Sequence, residues 1–139
     1  MGMFGALQTA GSGLNVFRTW LEATADNVAN MQSVDVNTPG GEPFKSKLVI
    51  AAANDQGFGA ASSGHGARVV EIVDKDETER IKFEPDHPLA DENGEVKYPG
   101  VDMGEQMVNA VVAQRGYQAN IQVMQYARDA YQAALRLGR

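Results

Sequence analysis

The last third of the chain carries a long helical pattern of apolar positions. From residue 103 to residue 135, mostly apolar residues recur at alternating spacings of four and three, the heptad pattern of a coiled-coil contact. This first row consists of Met103, Met107, Ala110, Gln114, Tyr117, Ile121, Met124, Arg128, Tyr131 and Leu135. A second row consists of Val108, Val112, Ala119, Val123, Ala127, Ala130, Ala134 and Leu137. Two apolar rows predict a helix that is buried on more than one side.

The predicted helix has signals at both of its ends. Asp102 occupies an N-cap position, and Glu105 follows three residues later as in a capping box. Gly138 stands where a helix often ends in a left-handed residue, and Arg136 suits the dipole of the last turn. At 1.5 Å per residue the helix would be roughly 55 Å long. Such a helix requires an extended partner, although a small helical bundle is an equally good interpretation at this point.

A second helix is predicted from Met3 to Met31. Its heptad row consists of Phe4, Leu7, Gly11, Leu14, Arg18, Leu21, Ala25 and Val28. Gly11 and Gly13 each weaken a helix interior by about 1 kcal/mol relative to alanine, and they also allow a partner helix to approach closely. The two terminal helices are therefore predicted to pair with each other, or with copies of themselves.

Residues 32–100 change from helical to extended patterns. Strands are predicted over residues 45–53, 67–75, 79–85 and 95–99, with a turn at 91–94 and a mobile glycine-serine loop at 54–66. The predicted fold class is α+β, with long N- and C-terminal helices that pair as a coiled coil and a small β-rich segment inserted between them. The segments are an N-terminal helical arm (1–31), a β-rich middle (32–100) and a C-terminal helical arm (101–139).

Composition and charge exclude several kinds of partner. The net charge of −6 and the pI of about 4.8 argue against nucleic acid and against anionic membrane surfaces. No stretch approaches the roughly 18 apolar residues of a membrane span. The first residues lack the basic and apolar regions of a secretory signal, so these facts alone predict a cytosolic protein. The chain contains no cysteine, which excludes disulfides and thiolate metal ligands.

The two histidines give little support for catalysis or metal binding. His65 lies in the glycine-serine loop without an acidic residue nearby in sequence, and His87 lies between acidic residues and prolines in EPDHPLADE. Flanking prolines make a rigid turn with a solvated imidazole the better interpretation of His87. We therefore expect no catalytic, cofactor-binding or metal-ligating residues, and no cofactor.

Amide side chains occur on or beside the apolar faces of both predicted helices. They are Asn27, Asn30, Gln118 and Asn120. Two interpretations remain open: ordinary surface polarity, and hydrogen bonds between helices that fix their register.

Three motifs resemble the bacterial flagellar axial proteins of the rod and hook. ATADNVANMQS (23–33) is similar to the N-terminal signature of that family, and RGYQANIQVM (115–124) is similar to its C-terminal signature. FEPDHPLADENGEVKYPGVD (83–102) resembles a proline-histidine-proline loop that is typical of a proximal-rod member. The short middle segment differs from the larger outer domains of distal-rod and hook relatives.

The resemblance implies a structural subunit of the flagellar basal-body rod without catalytic activity. Members of this family pass unfolded through the flagellar export apparatus without a cleaved signal peptide, which replaces the cytosolic expectation. They polymerise with copies of themselves and with other rod proteins into a torque-transmitting tube that crosses the periplasm. Their terminal helices pack as a coiled coil, and they fold on assembly.

Ten positions are expected to pack subunits together on this interpretation. They are Leu14, Leu21, Asn27, Val28, Asn30, Met107, Tyr117, Asn120, Ile121 and Met124. The alternative function is a free-standing coiled-coil adaptor or an export-bound binding protein. An enzyme that uses His87 and nearby carboxylates is the least favoured.

Overall fold

Two long helices precede and follow two β-hairpins along the chain. The computed structural model describes residues 3–35, 39–54 and 66–138. Its elements are α1 (Met3–Ala29), β1 (Ser46–Ala53), β2 (Ala67–Lys75), β3 (Arg80–Phe83), β4 (Glu95–Tyr98) and α2 (Met103–Leu137). The predicted α+β class, with two long terminal helices around a small β segment, is confirmed. Most of the predicted loop, residues 55–65, lies outside the described residues.

The two helices pack antiparallel along most of their length. The side chain of Asn120 faces Gly13, and the ring of Phe17 faces Gly116. The next fixed point is the hydrogen bond between Asn27 and Gln106. Each pair has the same sum of residue numbers, so the register is constant from Gly13 to Asn27 of α1. This register also places residues 131–137 of α2 beyond the first described residue of α1.

The β1–β2 hairpin packs against a side of α1 next to the one that α2 covers. The strands pair antiparallel from Ser46↔Lys75 to Ala53↔Ala67, with a register shift between Ile50 and Ala51. Near the N-terminal end of α1, the backbone N–H of Ala67 donates to the hydroxyl of Ser12 at 3.0 Å. The start of β1 is bound at the C-terminal end of α1. Helix α1 therefore contacts both α2 and the hairpin, and its remaining side is exposed.

The β3–β4 hairpin is held next to the end of α1. The guanidinium of Arg80 donates to the carbonyl oxygens of Pro99, at 3.1 Å, and Met31, at 3.2 Å. Val96, at 1% exposure, and Val101, at 3%, form part of the small core at this end of the molecule. The predicted turn at 91–94 is present, and Gly94 adopts φ +79° there, a conformation that glycine accepts without strain.

The two predicted signals at the ends of α2 have different outcomes. The carboxylate of Asp102 accepts the backbone N–H groups of Gly104 and Glu105, which confirms the N-cap. The left-handed ending predicted at Gly138 is wrong, because this residue has φ −92° and ψ 9°. Helix α1 ends at Ala29, two residues before the predicted boundary.

The predicted heptad rows only partly describe the contact between the helices. Arg18 is exposed and forms an ion pair with Glu22 at 3.5 Å instead of lying in the contact. On α2 the contact passes through Gln106, Ala113 and Asn120, which belong to neither predicted row. Met103, Met107 and Gln114 from the first row are exposed. Because α2 is apolar on more than one side, apolar spacing alone could not select the face that α1 covers.

Candidate assembly surface

A buried amide joins three elements at the base of the helix pair. The Nδ2 group of Asn27 donates to the carbonyl oxygen of Lys47 at 3.0 Å and to Oε1 of Gln106 at 3.1 Å. Its Oδ1 accepts the backbone N–H of Lys47 at 2.7 Å. Asn27 and Gln106 are each 3% exposed. Every hydrogen atom of this amide is therefore used, and α1, β1 and α2 are fixed relative to one another.

Glycines bring the middle of the two helices into close contact. A Cβ atom on Gly116 would lie 2.5 Å from the Phe17 ring, and one on Gly13 would lie 2.7 Å from the side chain of Asn120. Neither site leaves room for alanine without movement of the facing side chain. The Phe17 ring is also stacked against Trp20, at 6.2 Å between centroids. The contact is thus formed by aromatic and amide side chains placed over glycines.

The side of α2 that faces away from α1 is apolar and exposed. We define the outer stripe of α2 as Met107, Val108, Val111, Val112, Val123 and Tyr126. Their exposed fractions range from 46% for Val112 to 72% for Tyr126. Large exposed apolar side chains grouped along one side of a helix are typical of a protein–protein contact.

Helix α2 also continues beyond its partner helix. Residues 131–137 project by about 10 Å at 1.5 Å per residue. Tyr131, Leu135 and Leu137 are exposed on this projection, at 43%, 56% and 88%. The end of α2 therefore presents additional apolar surface that α1 does not cover.

The two hairpins present further apolar side chains. Leu48 and Ile50 on β1, and Val70 and Ile72 on β2, are each 42–48% exposed. Both hairpins are two-stranded sheets, so every strand has an unpaired edge that can accept another chain. In total, sixteen large apolar residues are exposed among the described residues, whereas only seven hydrophobic residues are buried. The described part of the chain therefore exposes more large apolar side chains than it buries.

The predicted packing positions occupy different environments. Leu14, Leu21, Val28, Tyr117, Ile121 and Met124 are half-buried, whereas Met107 is exposed. Leu14, Ile121 and Met124 line an open apolar groove of about 440 Å³ between the helices, together with Leu7, Gln125 and Arg128. The participation of these ten residues in contacts between subunits remains a prediction.

The two interpretations of the helical amides apply to different residues. Asn27 makes the predicted hydrogen bond between helices. Asn30 instead bonds within its own turn, to the carbonyl oxygen and side chain of Asp26. Asn120 donates to the carbonyl of Gly116 in its own helix at 2.8 Å while it packs over Gly13, and Gln118 is exposed. Gln106, which completes the Asn27 cluster, was missed because a lone glutamine resembles surface polarity in a sequence.

The side chain of His87 takes part in the hydrogen bonding of its own turn. The Nδ1 atom of His87 accepts the backbone N–H of Leu89 at 3.1 Å. Within residues 3–35, 39–54 and 66–138, no cluster of three or more histidines or carboxylates could hold a metal ion. His65 is outside these ranges. None of the described helices is long and apolar enough to cross a membrane.

Comparison with known proteins identifies the family. Residues 7–40 match the family model "Flagella basal body rod protein", and residues 92–137 match "Flagellar basal body rod FlgEFG protein C-terminal". The flagellar basal-body rod protein FlgC of Yersinia enterocolitica is 36% identical over 141 residues, covering 99% of both chains. The chain belongs to the FlgC family of flagellar basal-body rod proteins. Its FlgC relatives in Salmonella typhimurium and Bacillus subtilis are 36% and 27% identical, again over 99% or more of each chain.

Membership gives the exposed apolar surface a biological context. Proteins of the FlgC family are structural subunits of the flagellar basal-body rod, and this chain is one of them. Its location is accordingly the basal body, and it assembles there with other basal-body rod proteins. The two family models cover most of α1 and all of α2, the elements that form the helix pair.

Proposed function

We propose that the chain polymerises with copies of itself and with other rod proteins into the torque-transmitting shaft of the basal body, and that it has no catalytic role. The observation that carries this proposal is the outer stripe of α2, which is exposed although it is as apolar as a helix core. Association that covers the stripe would remove it from water at about 25 cal/mol per Å² of apolar surface.

Long packed helices suit a shaft that carries torque. The 35 residues of α2 extend about 52 Å at 1.5 Å per residue. A load on one end of α2 is transmitted along a continuous hydrogen-bonded helix and across the Asn27–Gln106 bond to α1. The constant antiparallel register and the glycine contacts resist sliding of one helix along the other, because packed interiors have few voids to deform into.

The limited core also suits passage through the flagellar export apparatus in an unfolded state. Helix α1 contains Gly11 and Gly13, each of which lowers the stability of an isolated helix by about 1 kcal/mol. The hydrophobic residues that are buried include only small or medium side chains on the helices, such as Ala10, Val16 and Ala113. A chain of this kind unfolds readily before export and gains stability from its neighbours after assembly.

The proposal is tested by placing charge on the outer stripe. The variant Val108→Lys/Val111→Lys should keep the circular dichroism spectrum of the wild type, because both side chains are already exposed. It should be recovered in isolated basal bodies at no more than about a tenth of the wild-type amount, since each buried lysine loses hydration on association. The matched control is Gln8→Lys on the exposed side of α1. Normal incorporation of the double variant, or equal loss for the control, would contradict the proposal.

A further inference from the structure

A small polar cavity at the base of the β1–β2 hairpin contains two buried oxygen atoms without partners. The cavity has a volume of about 130 Å³ and lies between the start of β1 and the segment after β2. Ser46 lines it, is 2% exposed, and its hydroxyl has no hydrogen-bond partner among the described residues. Glu77 also lines the cavity, and its Oε2 atom is likewise buried without a hydrogen-bond partner among the described residues. Buried polar atoms are nearly always hydrogen-bonded, so two unpaired atoms in one cavity indicate a partner there, such as a water, an ion or the side chain of another molecule.

The cavity is electronegative. Its lining contains four carboxylates, those of Glu42, Asp76, Glu77 and Glu79, against the two ammonium groups of Lys45 and Lys75. Both lysines are already engaged: Lys45 with Glu42 at 3.1 Å, and Lys75 with Glu77 and with Glu105 of α2, each at 3.0 Å.

The charge of this lining remains partly uncompensated. The pKa of Lys75 is raised, chiefly by its hydrogen bond to Glu105 and then by that to Glu77, which is the direction expected beside excess negative charge. Asp76 forms no ion pair with any described residue. The cavity therefore favours a cation that can donate several hydrogen bonds.

A guanidinium group fits this chemistry better than a metal ion. No group of three metal-binding side chains exists among the described residues, so the carboxylates here do not converge on one point. A guanidinium presents five N–H donors in one plane and spreads them over separate acceptors. Phe44 also lines the cavity and adds an aromatic group that a guanidinium can contact. The cavity volume of about 130 Å³ is far above the roughly 10–15 Å³ that one water needs by this measure, so the cavity has room for a larger polar group.

We infer that this cavity receives the side chain of Arg115 from a second copy of the chain. Arg115 is exposed on α2 one turn after Val111, in the middle of the outer stripe, and pairs with no described carboxylate. Among the exposed arginines of the described residues, Arg115 is the one whose insertion into the cavity would also cover the outer stripe of α2. Apolar side chains around a charge pair exclude water and strengthen it.

The arginine cannot come from the same chain. Glu105, which bonds Lys75 at the edge of the cavity, lies ten residues before Arg115, a distance of about 15 Å along the helix. Arg115 also projects on the side of α2 that faces away from α1. A contact between the stripe of one copy and the hairpin base of another uses two different surfaces, so it can be repeated from copy to copy and gives a filament when the rotation does not close a ring. This inference rests on the proposed self-assembly and specifies its geometry.

The test is an exchange of charges in cells whose own copy of the gene is deleted. Arg115→Glu and Asp76→Arg should each reduce the amount of the chain in isolated basal bodies about tenfold, because each places like charges together. The combined variant Arg115→Glu/Asp76→Arg should recover to within about threefold of the wild type, because the pair is restored in reversed order. Arg136→Glu is the control and should assemble normally.

The outcomes separate this inference from the proposed function. If the wild-type chain is incorporated but Arg115→Glu is incorporated equally well, the cavity holds water only and the inference is wrong. Failure of the combined variant to recover, while each single variant is defective, would also overturn it, provided that circular dichroism shows the variants folded. If the wild-type chain itself is not incorporated, the proposed self-assembly fails, and this contact fails with it.

Discussion

Replacement of Asn27 by alanine should destabilise the base of the helix pair more than any other single polar substitution in α1. The alanine variant loses all three hydrogen bonds of the amide. Two of these bonds connect α1 to the backbone of Lys47, and the third connects it to Gln106 of α2. The perturbation therefore acts on three elements at once.

The expected magnitude follows from the surroundings of each bond. A hydrogen bond contributes about 0.5–1.5 kcal/mol net, and a buried group left without a partner adds a further penalty. Gln106 is 3% exposed and would be left unpaired, whereas the backbone groups of Lys47 are partly accessible to water. The free energy of unfolding should fall by about 2–4 kcal/mol, a large fraction of the 5–15 kcal/mol that is typical of a domain.

Urea titration followed by tryptophan fluorescence measures this loss directly. The chain has one tryptophan, Trp20, which lies two turns before Asn27 on the same helix. Gln106→Ala should lower the free energy of unfolding by about 1–3 kcal/mol, less than Asn27→Ala, because it removes one bond and leaves one N–H of the buried Asn27 amide unpaired. The matched control Asn15→Ala, at an exposed position of α1, should change it by less than about 0.5 kcal/mol. Equal midpoints for Asn27→Ala and Asn15→Ala would refute the assignment of Asn27 as the junction.

Three further predictions concern the helix contact, the helix start and the acidic turn. Gly116→Ala should lower the thermal midpoint, with a loss of about 1–3 kcal/mol in the free energy of unfolding, because its Cβ would lie 2.5 Å from the Phe17 ring. Gly11→Ala is the control and should raise the thermal midpoint, because no atom lies near the added Cβ. Asp102→Ala should lower stability to urea by about 1 kcal/mol through loss of the N-cap of α2. The backbone N–H groups that donate to the Asp91 carboxylate lower its pKa. This turn should therefore be fully stable above pH 3.8, the unperturbed value, and should loosen as the pH falls through the lower pKa of the folded state. The pH dependence of the amide NMR shifts of the turn measures this effect, and it should vanish in Asp91→Asn.

The elements of this fold could be predicted because their signals are local. Strand β2 combines β-branched residues with flanking turn residues, and its observed bounds, Ala67–Lys75, are the predicted ones. The N-cap at Asp102 was identified because a side chain two or three residues from the groups it binds leaves a fixed sequence spacing. The C-terminal signal at Gly138 failed because glycine permits a left-handed conformation but does not require it.

The contact face between the helices was less predictable because the stronger apolar signal of α2 lies on the side that faces away from α1. Valines and methionines lie mainly on the outer stripe, whereas the contact with α1 depends on Gln106, Ala113 and Gly116. Close approach of two helices favours small residues, and these carry little hydrophobic signal. A row of positions selected by apolar spacing alone can therefore lie on the exposed surface of α2 as readily as on the surface that α1 covers.

The separation of the remaining apolar surfaces favours an open assembly over a closed dimer. Helix α1 is contacted within the chain by α2 and by the β1–β2 hairpin, and its remaining side, which includes Gln8, Asn15 and Glu22, is polar and exposed. The apolar surface that remains lies on the outer side of α2 and on the hairpin, in separate parts of the molecule. A two-fold dimer would use one of these surfaces twice and leave the other exposed to water. Only contacts between unlike surfaces cover both in every subunit, and repetition of such contacts without closure produces a filament.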